Sequence, residues 1–321
     1  MNRPDGPAGM AVLPRKGATM SSINSINVGC GQITWMRFSA QGAEWIVPED
    51  QVLVQIAQAG YQGAPAGPGR LSPEATIAQY TELGMHPAPG YFSAEFWLPE
   101  KRAEILEQAA TFARFSHAVG LTEMYVATGG GAYLTPSGKT RNQLAGQITE
   151  ADGLTNAEMR QFADTLAAAC EITLKEGVRC CFHNHVGTVI ETRSEFERLL
   201  ALVDLNLLFL GPDTGHLAWA GDDAAAFCHD YAARIKTLHV KDINTAVAIE
   251  GRSQGWDYGT FSRHGIWTEL GQGAIDFKAI FADLQAAGFA GWAIVETDVT
   301  QLATPFESAV VSREYLKRIG I

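Results

Sequence analysis

The sequence predicts an α/β chain folded as a (β/α)8, or TIM, barrel, and three observations carry that prediction. Short apolar runs of strand type alternate eight times with amphipathic stretches of helical period between residue 26 and the C-terminus. No Pro/Ser/Gly-rich linker divides the chain past residue 25, so the 321 residues are read as one domain, 26–321, behind a flexible tail, 1–25. Histidines and carboxylates gather at the C-terminal ends of the last four strand candidates, the end where such a barrel carries its site.

Each element has its own signal. INVGCGQITW (26–35) reads as the first buried strand, and helical pattern runs from Pro48-Glu49 to Gly60. YQGAPAG (61–67) holds a short second strand. Ser72 caps the next helix with Pro73 at its first position, and Gly84 ends it. MHPAPGYF (85–92) is the third strand. From Pro99 to Gly120, Ile105, Leu106, Ala109, Phe112 and Ala113 share one helical face.

EMYVAT (123–128) is the fourth strand. The Gly-rich TGGGA (128–132) behind it is not a GxGxxG turn opening a helix, which argues against a doubly wound open sheet. Thr155 and Glu158 form a capping box, and Met159, Phe162, Leu166 and Cys170 then recur at helical spacing up to Gly177. VRCCFHNH (178–185), LNLLFLGPD (205–213), KTLHVKDI (236–243) and GWAIVETD (291–298) are strands five to eight. SEFERLLALV, DDAAAFCHDYAARI and DFKAIFADLQAAG are the helices between them, and a last helix reaches the C-terminus. The Gly- and Trp-rich stretch 244–274 is read as irregular.

Composition narrows the function. A formal net charge of −11 excludes a polyanionic nucleic-acid partner, which needs a basic face. No run of 18 apolar residues exists, so no membrane span is expected. The five cysteines form no CxxC pair or zinc spacing, and the tail lacks the apolar centre of a secretory signal. A reduced, cytoplasmic protein is the expectation.

The strand ends carry the chemistry. Strand five ends in His183, Asn184 and His185, with Glu191 in the following turn; strand six brings Asp213 and His216; strand seven His239, Lys241 and Asp242; strand eight Glu296 and Asp298. Carboxylates plus imidazole on four neighbouring strands suit one divalent cation, and a mostly oxygen donor set favours Mn2+, Co2+, Fe2+ or Mg2+ over a thiolate-built zinc site. The expected ligands are Glu191, Asp213, His239 and Glu296. Imidazole titrates near neutrality, so His185 is the leading proton-transfer residue, with His183 beside it or on the cation and His216 as a second candidate or as a partner orienting Asp213. Lys241 is expected to hold a substrate oxygen or to pair with Asp242 or Asp298. Trp219 and Trp267, with Trp256 and Phe261, are expected to offer apolar faces to a sugar or cyclitol ring.

GPDTGHLAWAGDD, HVKDI, ELGQGAIDF, GWAIVETD and FHNHVGTVIET together resemble the xylose-isomerase-like sugar isomerase/epimerase superfamily, and within it the inosose (2-keto-myo-inositol) dehydratase family. The likeness is strong over 150–321 and weaker over 26–130. It implies a barrel with one divalent metal, Mn2+ or Co2+ foremost, with Fe2+, Mg2+ and Zn2+ as further candidates. The ligands it implies are the strand-five residue, Asp213, His239 and Glu296.

Two departures stand out. His183 occupies the place where many relatives carry a glutamate, so either Glu191 folds back or His183 ligates. GAPAGPG (63–69) contains no acid where dehydratase-like sequences often have one. The resemblance implies a metal-dependent lyase acting on a keto-cyclitol or keto-sugar, beginning with α-proton removal and a metal-stabilised enediolate. A keto-sugar isomerase or epimerase is the alternative. So is the metal subunit of a C-glycoside deglycosidase acting on 3-keto glycosides. A small-molecule substrate and a homo-oligomer are expected, or a hetero-oligomer in the deglycosidase case.

Overall fold

The computed structural model describes residues 26–39, 42–69 and 71–321; the tail expected over 1–25 lies outside the described residues. Strands β1 Asn27–Cys30, β2 Gly63–Pro65, β3 His86–Ala88 continued by Tyr91–Ala94, β4 Glu123–Thr128, β5 Arg179–His183, β6 Leu208–Leu210, β7 Thr237–Val240 and β8 Trp292–Val295 form the barrel. All pair in parallel. β1 lies between β8 and β2, and β8 pairs onward with β7. β2 pairs with the first half of β3, and its second half pairs with β4, which leads to β5 and β6. The bridges Leu210–Ile235 and Asp213–His239 close the ring between β6 and β7.

The helices between strands are α1 Glu49–Gln58, α2 Pro73–Glu82, α3 Arg102–Ala118, α4 Asn156–Lys175, α5 Arg193–Leu200, α6 Thr214–Ala220, α7 Ala224–Tyr231, α8 Thr245–Gln254, α9 Tyr258–Arg263, α10 Phe277–Ala286 and α11 Pro305–Arg318. Their starts follow local chemistry. Thr155 and Thr192 each close a capping box, with Glu158 and Glu195, and Ser72 and Thr304 cap helices that have proline in the first turn. None of the described helices is long and apolar enough to cross a membrane. All five cysteines are buried and free.

The floor of the barrel explains the levels above it. Ala88, Tyr125, Ile294 and Trp292 pack together inside. The Thr237 hydroxyl lies 2.6 Å from that of Tyr125 and 3.0 Å from the Trp292 carbonyl. Gly63 makes room: a Cβ there would meet the His86 carbonyl and stand 2.6 Å from the Trp292 ring. Since strand side chains alternate, residues two and four places beyond these interior positions also face the axis, higher in the barrel.

Two segments departed from the sequence reading. The stretch 244–274, expected as irregular, contains α8, α9 and an antiparallel pairing of Asp242–Ile243 with Trp267–Thr268. Trp219, Phe261, Ile266 and Trp267, with Ala145 and Val186, form a second apolar cluster here, packed beside the mouth. Met36–Ser39 and Gly42–Trp45 form a hairpin after β1 that periodicity did not announce.

Candidate active site

Strand parity assembles the site. From the floor residues Thr237 and Trp292, steps of two lead to His239 and Lys241 on one strand, and to Ile294, Glu296 and Asp298 on the next. On β5 the same parity runs Cys181, His183, His185. The Asp213–His239 bridge sets β6 level with β7.

The lower tier is a cluster of possible ligands. His183, Asp213 and His239 each offer a ligand atom, all within 4.8 Å of one another. His239 Nδ1 lies 3.2 Å from Glu296 Oε2 and 3.7 Å from Asp213 Oδ2. His183 Nδ1 faces the Gly211 carbonyl at 3.2 Å; a carbonyl only accepts, so this nitrogen carries the proton and Nε2 keeps its lone pair. Asp213 splits its work. Oδ1 accepts the His216 amide at 3.0 Å and caps α6, while Oδ2 faces the cluster.

Lys241 stands among the carboxylates, 3.2 Å from Asp213 Oδ2, 3.3 Å from Glu296 Oε2 and 2.6 Å from Asp298 Oδ1. Its ammonium also lies 4.8 Å from the centre of the Trp267 ring. These charges set the protonation states. Burial disfavours the His239 cation, but Glu296 and Asp213 outweigh it and hold the imidazole up at about 9. Burial likewise opposes the Lys241 charge and is overcome by Asp213, Asp298 and Glu296. Against burial, His239 and Lys241 pull Glu296 down to about 2, and Asp213 falls well below the ordinary range, chiefly through Lys241. Burial and the neighbouring His239 keep His183 neutral to well below its usual range.

A divalent cation fits this tier. His239 Nε2 is buried without a hydrogen-bond partner, and Asp213 Oδ2 and His239 Nδ1 are buried with only the ion-pair contacts given above. Two carboxylates and two imidazoles form an N/O donor set suited to a transition metal of intermediate softness.

Above it, His185 and His216 touch, their rings tilted by 36° with centroids 3.7 Å apart. Burial, reinforced by Lys241, depresses His185 to about 4, and burial with His185 nearby takes His216 well below its usual range. One ligand atom each from His185, His216 and Asp298 lies within 4.8 Å of the others. Burial raises Asp298 to about 6 against the pull of Lys241.

Three expected site residues stand elsewhere. Glu191 does not join the cluster. Its carboxylate accepts the Gly146 and Gly187 amides, each at 2.8 Å, and lies 4.0 Å from Arg141, so its oxygens are engaged beneath the β5 turn. His183 occupies the strand-five level instead, as parity requires. Trp219 and Trp267 are 0% and 1% exposed and present no open face to a ring. Their edges and faces pack about His216, at 6.2 and 4.9 Å. Trp256 and Phe261 pack on each other in the same cluster.

Sequence reasoning also missed aromatic neighbours. Tyr91, 39% exposed, has its ring 5.1 Å from His183 and 6.2 Å from His239. Tyr125 lies 4.2 Å from His239, and Tyr258 of α9 stacks on His185 at 5.9 Å. The alternation of EMYVAT pointed to Tyr125. The break in β3 hid Tyr91, and nothing in the local pattern marked Tyr258.

A closed (β/α)8 barrel with its acids, imidazoles and one lysine gathered at a single mouth is the architecture of a barrel enzyme. The chain belongs to the xylose isomerase-like TIM barrel family, whose model matches residues 48–319. A protein of Geobacillus kaustophilus named inosose dehydratase is 31% identical over 93% of this chain and 96% of its own length. One of the same name from Lacticaseibacillus casei is 29% identical over 91% and 96%. Among solved structures, a probable 3-DHS dehydratase, AsbF, from Bacillus anthracis superposes with a TM-score of 0.63 at 12% identity, covering 91% of this chain and 99% of its own. The E. coli 3-keto-D-glucoside 4-epimerase YcjR superposes with a TM-score of 0.63 at 16% identity, covering 92% and 99%. These structural likenesses speak to fold. The chain is an enzyme of the lyase or isomerase/epimerase kind.

Proposed function

We propose that residues 26–321 form one catalytic domain and that the protein is a divalent-metal-dependent dehydratase acting on a keto-cyclitol. The observation that supports this most is the two-tier mouth: a cation-competent set, His183, Asp213, His239 and Glu296, directly under the neutral imidazoles His185 and His216. Relatives named inosose dehydratase over nearly the whole chain support the substrate class.

Mn2+ or Co2+ held by the lower tier supplies Lewis acidity, which makes the carbon beside a ketone more acidic. His185, kept neutral by burial, takes the α-proton. Lys241 presents its ammonium to a substrate oxygen, with Asp298 holding it in place. Tyr91 and Tyr258 border the space in which the ring lies, and the apolar cluster behind His216 keeps water from the imidazoles.

The test is to incubate manganese- or cobalt-loaded protein with 2-keto-myo-inositol, a panel of keto-hexoses and a 3-keto C-glycoside. Loss of water from the inosose supports the proposal. Epimer exchange alone, or release of an aglycone alone, replaces it with the corresponding epimerase or deglycosidase reading. Protein that neither holds nor responds to metal is instead a binding module.

A further inference from the structure

Glu191 is fully buried, carries a carboxylate, and has no part in the cation cluster. It sits under the turn that joins β5 to α5, and that turn touches both upper imidazoles through one residue. The Val186 carbonyl lies 2.7 Å from His185 Nδ1, and the Val186 amide donates to His216 Nδ1 at 3.1 Å. Resting on the reading of the site given above, we propose that Val186 locks His185 and His216 in opposite tautomers, and that Glu191 is the positioning residue that holds Val186 in place.

The tautomers follow from what each backbone group can do. A carbonyl oxygen only accepts, so His185 carries its proton on Nδ1 and shows a lone pair at Nε2. An amide N–H only donates, so His216 has no proton on Nδ1 and carries it on Nε2. His216 Nε2 is buried and has no hydrogen-bond partner. A substrate at the mouth therefore meets an acceptor, His185 Nε2, beside a donor, His216 Nε2.

This directs the reaction. His185 Nε2 takes the α-proton, and the C–H electron pair moves toward the adjacent carbonyl. The pair then returns to form the new C=C bond as the β C–O bond breaks. The departing hydroxyl takes the same proton from the His185 imidazolium and leaves as water, with His185 restored. His216 donates a hydrogen bond to the substrate oxygen where charge develops and keeps its proton, because losing it would leave an imidazolate.

The clasp beneath is built for rigidity. Glu191 accepts Gly187 N–H, next to Val186, and Gly146 N–H from the loop after β4. Arg141 makes two 2.9 Å bonds to Glu195 and a third, at 3.2 Å, to the Asp152 carbonyl. Glu195 in turn accepts the Glu191 amide at 2.8 Å. Gly187, at φ +80°, turns the chain so that the amides of Val186 and Gly187 serve different partners.

The test reads the rings directly, without substrate. In free protein labelled with 15N-histidine, long-range 1H–15N NMR shows which nitrogen of each ring is protonated, with His185→Gln and His216→Gln used for assignment. Nδ1–H on His185 and Nε2–H on His216 are expected. The same tautomer on both, or a doubly protonated His216, overturns the lock. In Glu191→Ala, His185 is expected to relax toward a tautomer mixture, with kcat on the inosose down about tenfold and KM little changed. In Glu191→Gln the wild-type pattern partly returns. Unchanged tautomers in folded Glu191→Ala overturn the role of Glu191. If that variant does not fold, wild-type tautomers with undiminished kcat in Glu191→Gln do so. Because the rings are read without turnover, a wrong substrate assignment leaves this result standing.

Discussion

The Lys241 ammonium lies 3.2 Å from Asp213 Oδ2, the oxygen a divalent cation at this site must claim. On the proposed function, the protein carries a tethered cation that would compete with a divalent metal at this cluster. Removing that charge while keeping an apolar side chain of similar length relieves the competition. Lys241→Met is expected to tighten Mn2+ or Co2+ binding by about tenfold or more, given the strength of Coulomb interactions at this range. Calorimetric titration of metal-free protein measures it; unchanged or weaker affinity contradicts the competition.

His239 must lose a proton when it ligates a metal, and in the free protein Glu296 and Asp213 hold its pKa at about 9 despite burial. Below that value binding releases a proton, so affinity rises with pH, by roughly tenfold per unit from about pH 7 toward 9, and levels off above. Competition against a chelator of known pH response gives the slope. A flat profile across this range means that His239 is already neutral.

His183 rather than Glu191 stands at the strand-five level of the cluster. His183→Ala is expected to lower metal affinity by roughly 10- to 100-fold, whereas Glu191→Gln leaves stoichiometry and affinity close to wild type. Metal analysis after dialysis, with titration of both variants, separates the two. The reverse pattern returns Glu191 to the ligand set.

At the floor, Gly63→Ala would drive a methyl group into the Trp292 ring and the His86 carbonyl. Overpacking of this kind costs about 1–3 kcal/mol, and backbone contact places the change toward the upper end. Urea unfolding is expected to show a lower midpoint with an unchanged slope. A wild-type midpoint means that the floor yields more easily than its contacts imply.

Much of this architecture was legible because strands and helices have different periods. The strand ends were found, and Asp213, His239, Lys241 and Glu296 lie together as their common position on successive strands implied. Glu191 stands outside the cluster because, eight residues past His183, it lies beyond the strand, where alternation no longer fixes direction; the expectation weighed residue type above parity. The helices α8 and α9 within 244–274 were missed for a different reason. The α8 sequence TAVAIEGRSQ has a weak apolar stripe and an internal glycine, and Gly251 is there because Phe261 packs directly on its backbone. That requirement comes from a tertiary contact and leaves no periodic trace. Tyr91 follows Pro89-Gly90, where β3 breaks, so counting along the strand loses its register.

Asp213 spends one oxygen on the first turn of α6 and the other on the cluster. Any replacement there alters a fold element and a chemical group together, so few single exchanges at that position leave a working molecule. His183 is secured by one carbonyl contact at Gly211 and has no such double duty. Within this mouth, then, the freedom to change by gradual substitution is greater at His183 on β5 than at Asp213 after β6.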